Sequence, residues 1–292
     1  MKAANLSLNA QEPLRAELLR VVDALVDSAT DSMGQMATQE SLHQLRTSIK
    51  GLRALLRLIR PAIPELFDRE NARLKAAARR LGFTRDTDAA RETLQTLPVS
   101  DSTEKAAVAA ALAGFNRSYP PSKDLDQSIA GVRMDLQLTR RNLHRWKFRG
   151  NERELVETGL HTVYRQGRKR MHIACKQGQD EAFHRWRIRA KNLYYELQFL
   201  ESVWPKRLHR MISDLTKLQE ELGLDHDISV LKSRLQKNPD AFSEPEAVKR
   251  VLRCLDNESR KHRCVSIPLG HKIWAEKPRR FVDKVGKHWR KP

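Results

Sequence analysis

Apolar residues recur along most of this chain at intervals of three and four. Leu14, Leu18, Val22, Leu25 and Val26 keep that spacing, and so do Leu45, Ile49, Leu52, Leu56 and Ile59. Residues three or four apart share one face of an α-helix, so each series predicts a helix with one buried stripe. The pattern predicts helices over about 13–31, 40–60, 64–81, 123–149, 152–175, 184–204 and 205–222. An Ala-rich run at 106–115 predicts a further buried helix, with Asp101 and Glu104 as its capping pair. Ser243 with Glu246 marks another that reaches about Cys264, and a last helix is expected near 277–289. β-Branched runs of period two are absent, so no strands are predicted and the expected fold class is all-α.

The polar positions carry a second pattern. His43, Arg46, Lys50, Arg53 and Arg57 are spaced 3, 4, 3 and 4, and no acid interrupts them. On a helix they fall within about 80° of one another, on a face distinct from the apolar stripe. Like charges one turn apart repel. A helix that keeps such a row is suited to receive an anion.

This row recurs. Sliding the chain by 141 residues puts His43 on His184, Arg46 on Arg187 and Lys50 on Lys191. The same shift superposes Pro64 on Pro205, Gly82 on Gly223, Asp86 on Asp227 and Pro98 on Pro239, with no gap. The prolines fit helix starts and the glycines fit positions just past helix ends. A repeat of this length implies two pseudo-symmetric helical-bundle halves from an internal duplication, about 10–150 and 151–290. Residues 1–9 read as a disordered tail, and Gly150-Asn151 as the join. The second row is shorter, because Tyr194, Gln198 and His226 stand where the first half has Arg53, Arg57 and Arg85. Arg165 and Arg168, one turn apart, have no basic counterpart in the first half (Ala24 and Asp27) and are read as its supplement. Asp86 and Asp227 read either as helix caps or as acids that orient a neighbouring arginine.

Charge narrows the partner. Lys+Arg 55 less Asp+Glu 36 gives +19, with a pI near 10.2. That much positive charge on a folded chain calls for a polyanion: a phosphate polymer, nucleic acid or an anionic membrane. The longest apolar run is too short to span a bilayer, so no membrane partner is expected. Aromatic residues make up only 6%, few for stacking on bases, which disfavours nucleic acid. No P-loop, GxSxG or HExxH motif occurs, and no His or Cys follows His43 or His184 at a metal-binding spacing. The expectation is therefore no enzyme activity, no cofactor and no metal. Cys175, Cys254 and Cys264 form no CxxC pair, which suits free thiols in a reducing compartment.

Two His-x-x-Arg-x-x-x-Lys motifs (His43/Arg46/Lys50 and His184/Arg187/Lys191) are each followed by Leu-Gly-x-x-basic-Asp (Leu81 to Asp86, Leu222 to Asp227). With Ala275-Glu276-Lys277-Pro278 ahead of Phe281 and Trp289, this set resembles the CHAD family, the conserved-histidine α-helical domain, over about residues 10–290. The resemblance implies an all-α fold of two helical halves that binds inorganic polyphosphate along a basic surface between them. It also implies association with polyphosphate granules, with granule proteins as further partners, in the cytoplasm that the free thiols suggest. The residues expected to bind are His43, Arg46, Lys50, Arg53, Arg57, His184, Arg187 and Lys191, followed by Arg79, Arg85, Arg165 and Arg168. The histidines are expected to donate hydrogen bonds to phosphate oxygens. The alternative is a general polyanion or nucleic-acid binder.

Overall fold

The structure is a computed structural model that describes residues 6–31, 39–119, 125–148, 150–237 and 245–289; the side chains of 31, 39, 82–86 and 125–127 also lie outside the description. Within it run α1 (Leu14–Asp31), α2 (Gln39–Leu58), α3 (Pro64–Arg80), α4 (Gly82–Gln95), α5 (Ser102–Ser118) and α6 (Leu125–His144). They are followed by α7 (Glu152–Gln177), α8 (Asp180–Leu200), α9 (Pro205–Lys237), α10 (Pro245–Ile273) and α11 (Pro278–His288). Short 3-10 turns at Arg60–Ala62 and Glu201–Val203 precede α3 and α9. The described residues contain no strand, and the fold is all-α. Gln39, Arg60 and Pro64 open elements that recur at Asp180, Glu201 and Pro205, each 141 residues further on.

α1, α2, α3 and α6 pack in a closed ring of four helices, and α7, α8, α9 and α10 form a second group with α11 laid on α7. α2 against α8 joins the two groups. The apolar stripes explain the seam: Leu45, Ile49, Leu52 and Leu56 of α2 and Trp186, Ala190, Leu193 and Leu197 of α8 are all buried in one core. α7 also approaches the end of α2 so closely that a Cβ on Gly159 would overlap the Leu58 carbonyl group. A second, smaller core gathers Leu94 of α4, Phe115 of α5, Leu231 and Leu235 of α9 and Leu255 of α10. Each core takes residues from both sides of Asn151. The Asn151 side chain accepts from the Glu154 N–H at 3.2 Å and caps α7.

Asp101 caps α5 as its spacing predicts, accepting from the Glu104 N–H at 2.7 Å, while Glu104 accepts from the Ser100 N–H at 2.6 Å. Ser243, the other expected cap, lies outside the described residues. Four expectations need correction. The helix from Pro205 does not stop at Leu222: α9 runs through Gly223 to Lys237. Its buried stripe, Leu215, Leu218, Leu222, Ile228, Leu231 and Leu235, outweighs the roughly 1 kcal/mol that one helical glycine costs. Asp227 therefore lies inside a helix and caps nothing. α10 runs past Cys264 and through Pro268, because Ser266, Gly270 and Ile273 beyond it are buried against neighbours while the exposed proline forgoes one backbone bond. Of the expected tail, residues 1–5 lie outside the described residues, but 6–9 are ordered by specific contacts. Leu8 is 3% exposed, its N–H donates to the Phe199 carbonyl at 2.8 Å, and the Asn9 N–H donates to Glu17 Oε2 at 2.6 Å.

Candidate functional site

On α2 the buried stripe turns His43, Arg46 and Lys50 outward, toward α8 and the middle of α9. The three helices enclose a cleft of about 670 Å³. His43, Arg46, Thr47 and Lys50 form one wall, Arg187, Lys191, Tyr194, Tyr195 and Gln198 a second, and Thr216, Gln219, Glu220, Gly223, Leu224 and Asp227 a third. Two basic rows 141 residues apart in sequence thus meet in one space.

Local contacts fix the walls. Arg46 donates from Nη2 to the Leu81 carbonyl at the end of α3, where a helix leaves its last carbonyls open. Arg187 is only 7% exposed and reaches α9 beside Gly223, where a Cβ would sit 3.9 Å from its Nη2. Tyr195 shares a hydrogen bond with Thr47 across the seam, and burial with the neighbouring Tyr194 pushes its hydroxyl up to about 12. The Gln198 amide donates to the Tyr194 hydroxyl at 2.9 Å.

The lining holds four Arg/Lys side chains (Arg46, Lys50, Arg187, Lys191) against two carboxylates (Glu220, Asp227). Arginine offers a rigid fork of donors to paired oxygens, and lysine a compact charge. Such a set recognises an anion rich in oxygen. Among the described residues, no group of three or more His, Cys, Asp and Glu is placed to hold a metal ion.

The other expected site residues lie elsewhere. His184 does not line the cleft; its ring stacks on His226 at 4.5 Å, with the two Nδ1 atoms 3.0 Å apart. One of these nitrogens must donate and the other accept, so the contact requires one of the two Nδ1 atoms to be unprotonated. Arg53 and Arg57 turn toward α3, where Arg53 Nε donates to Asn71 Oδ1 at 3.1 Å and Arg57 Nη1 to the Arg53 carbonyl at 2.7 Å. Burial, with Arg53 beside it, pushes the Arg57 guanidinium down to about 10, still a cation at neutral pH. Near Arg57, Glu196 is fully buried with neither carboxylate oxygen hydrogen-bonded; burial holds its carboxyl well above the usual range, against the pull of Arg57. Arg79 is exposed on α3, and the Arg85 side chain lies outside the described residues. Arg165 and Arg168 sit on α7, which contributes nothing to the cleft.

The family model described as the CHAD domain matches residues 16–236. The chain belongs to the CHAD domain family. The match runs from α1 to the end of α9. The crystal structure of the CHAD domain from the plant Ricinus communis extends the likeness in fold, at a TM-score of 0.65 and 19% identity over 95% of this chain and 96% of that one. No curated protein sequence matches the chain. The CHAD fold expected from the paired motifs is thus the one observed. No helix among the described residues is long and apolar enough to cross a membrane.

The sequence pattern did not reveal the third wall of the cleft. Thr216, Gln219, Glu220, Gly223 and Asp227 are spaced 3, 1, 3 and 4 and share one face only if α9 is unbroken. Reading Gly223 as a stop hid that face.

Proposed function

We propose that this CHAD-family chain binds inorganic polyphosphate in the cleft between α2, α8 and α9, without chemical turnover. The observation that carries the reading is the meeting of His43, Arg46 and Lys50 with Arg187 and Lys191 in that one space. The resemblance to a family whose expected ligand is polyphosphate agrees with it. The site offers cations and polar groups to phosphate oxygens, and few aromatic faces on which bases could stack. The place in the cell that goes with this role is the cytoplasm, at polyphosphate granules, among granule proteins.

The deciding experiment is competition. Labelled long-chain polyphosphate is bound to the protein near physiological salt, then challenged with double-stranded DNA of equal charge. Poor competition by DNA supports the reading. Equal competition makes the cleft a general polyanion surface, which is the second reading and rests on the net charge of +19. Adding a divalent ion tests turnover: the polymer should be recovered at its starting length, and shortening would assign an activity.

A further inference from the structure

Arg165 and Arg168 read in sequence as a supplement to the second basic row. In the structure they stand on α7, among cations brought from two other elements. Glu276, just before α11, has Arg207 at 3.6 Å, Arg280 at 3.9 Å and Lys284 at 2.6 Å. Arg168 lies close enough to the Tyr164 hydroxyl to act on it, as do Arg207 and Glu276. Arg165 and Arg279 flank His161 in the same way, with Asp283 nearby, and burial together with those two cations holds the His161 imidazole below its usual value. With Arg153 and Glu157 of α7, paired at 2.7 Å against α11, seven cations thus collect around three carboxylates. One carboxylate shared by three cations leaves the face positive. Arg165, Arg279 and Arg280 are exposed.

This face is separate from the cleft. Arg207 precedes Thr216 by nine residues on α9, which places it about half a turn away from the cleft side and about 14 Å along the axis. A purely structural role, bracing α11 on α7, would account for Arg207 and Lys284. It does not account for Arg165 and Arg279, which make no ion pair among the described residues.

We infer that the face formed by α7, the start of α9 and α11 is a second polyphosphate-binding surface, so that one molecule holds two polyphosphate segments at once. The inference rests on the reading of the cleft as the first polyphosphate site. Two sites on one molecule make the protein a bridge between polymer chains, and a long chain reaching both sites gains from the high effective concentration of its second segment. The ligand class follows from the same chemistry as in the cleft: arginine forks and lysine charges with few acids among them.

A two-layer capture assay tests it. Long-chain polyphosphate is fixed to a surface, the full-length protein is loaded at physiological salt, and fluorescent short-chain polyphosphate is passed over. The wild type should capture the second layer. The variant Arg165→Ala/Arg279→Ala/Arg280→Ala, which changes only exposed side chains, should load to a similar level but capture about tenfold less. Equal capture by this variant overturns the inference, and so does a wild type that captures nothing. Light scattering on both proteins separates bridging by one molecule from bridging by pairs: a dimer whose triple variant still captures overturns it too. Arg46→Ala/Lys50→Ala reports on the cleft independently. If that variant loads as tightly as wild type while the triple variant loads poorly, the cleft reading fails and the α7–α11 face becomes the primary site.

Discussion

Two glycines in helices should respond in opposite ways to the same change. Helix propensity alone favours alanine over glycine by about 0.8–1.0 kcal/mol at either position. At Gly223, inside α9, an added Cβ meets only Arg187 Nη2 at 3.9 Å, an ordinary contact. Gly223→Ala should therefore stabilise by nearly the full amount, about 0.8 kcal/mol. At Gly159 the Cβ would lie 2.9 Å from the Leu58 Cα and nearer still to its carbonyl. The carbonyl oxygen would lie 1.9 Å away where ordinary contact begins near 3.4 Å, so α7 must retreat from α2 by about 1.5 Å. Overpacking of this kind costs about 1–3 kcal/mol, and the upper end applies because the obstacle is backbone rather than a side chain that can turn away. Less the propensity gain, Gly159→Ala should lose about 2 kcal/mol. Urea titration followed by circular dichroism reads both, as midpoints moving in opposite directions at a constant slope. If Gly159→Ala stabilises the protein, the close approach of α7 to α2 does not exist as described. If Gly223→Ala destabilises it by more than about 1 kcal/mol, the unbroken course of α9 is wrong.

Other perturbations give sharp expectations. Arg46→Ala/Lys50→Ala removes two of the four Arg/Lys charges lining the cleft, so the slope of log affinity for polyphosphate against log salt should flatten by about 1.4, taking the value for single-stranded polymers; an unchanged slope moves the site elsewhere. Glu196→Gln tests the buried carboxyl. Its folded pKa lies above the ordinary 4.5, so the native state holds the proton more tightly than the unfolded chain. The stability this confers is complete below about 4.5 and is lost as the pH rises through the folded value. The glutamine variant should show a flatter dependence of its urea midpoint over that range, and a dependence identical to wild type would contradict a buried, unpartnered acid. Phe281→Ala removes a fully buried ring stacked on Tyr164 at 4.4 Å and should cost about 3–5 kcal/mol, read as a lower thermal midpoint; a loss below 1 kcal/mol would place α11 off the core.

The helices and the inner half of the cleft were legible because both are periodic. A buried stripe and a basic stripe on the same helix leave independent marks, and α2 and α8 carry both. Arg46 and Arg187 face one space because α2 and α8 bury their apolar stripes against each other; the spacing marks each basic face, and the packing brings the two together. Breaks were harder to read than faces. Gly223 and Pro268 carry strong local stop signals, yet the helices continue because the apolar stripe resumes beyond each of them. Such burial is a tertiary fact that a local signal does not contain. Leu8 is similar: Leu6, Leu8 and Ala10 alternate with polar residues over too short a stretch to mark an element, and only the seat of Leu8 against Phe199 shows that it belongs to the core. The divergence of Arg165 and Arg168 from the cleft was invisible for a related reason. A helical wheel says which residues share a face, but not which neighbour that face will meet.

The seam between α2 and α8 bears on how the chain is made. Its two sides are 141 residues apart in sequence, so the partner of α2 leaves the ribosome long after α2 itself. At about 5–20 residues per second, that interval is roughly 7–28 s. Throughout it, α2 can be covered only by α1 and α3 and, late in the interval, by α7. The first half is therefore exposed to premature association for longer than most helical bundles, whose contacts are local. Polyanion affinity, on the reading proposed above, comes last, when α8 and α9 arrive to close the cleft.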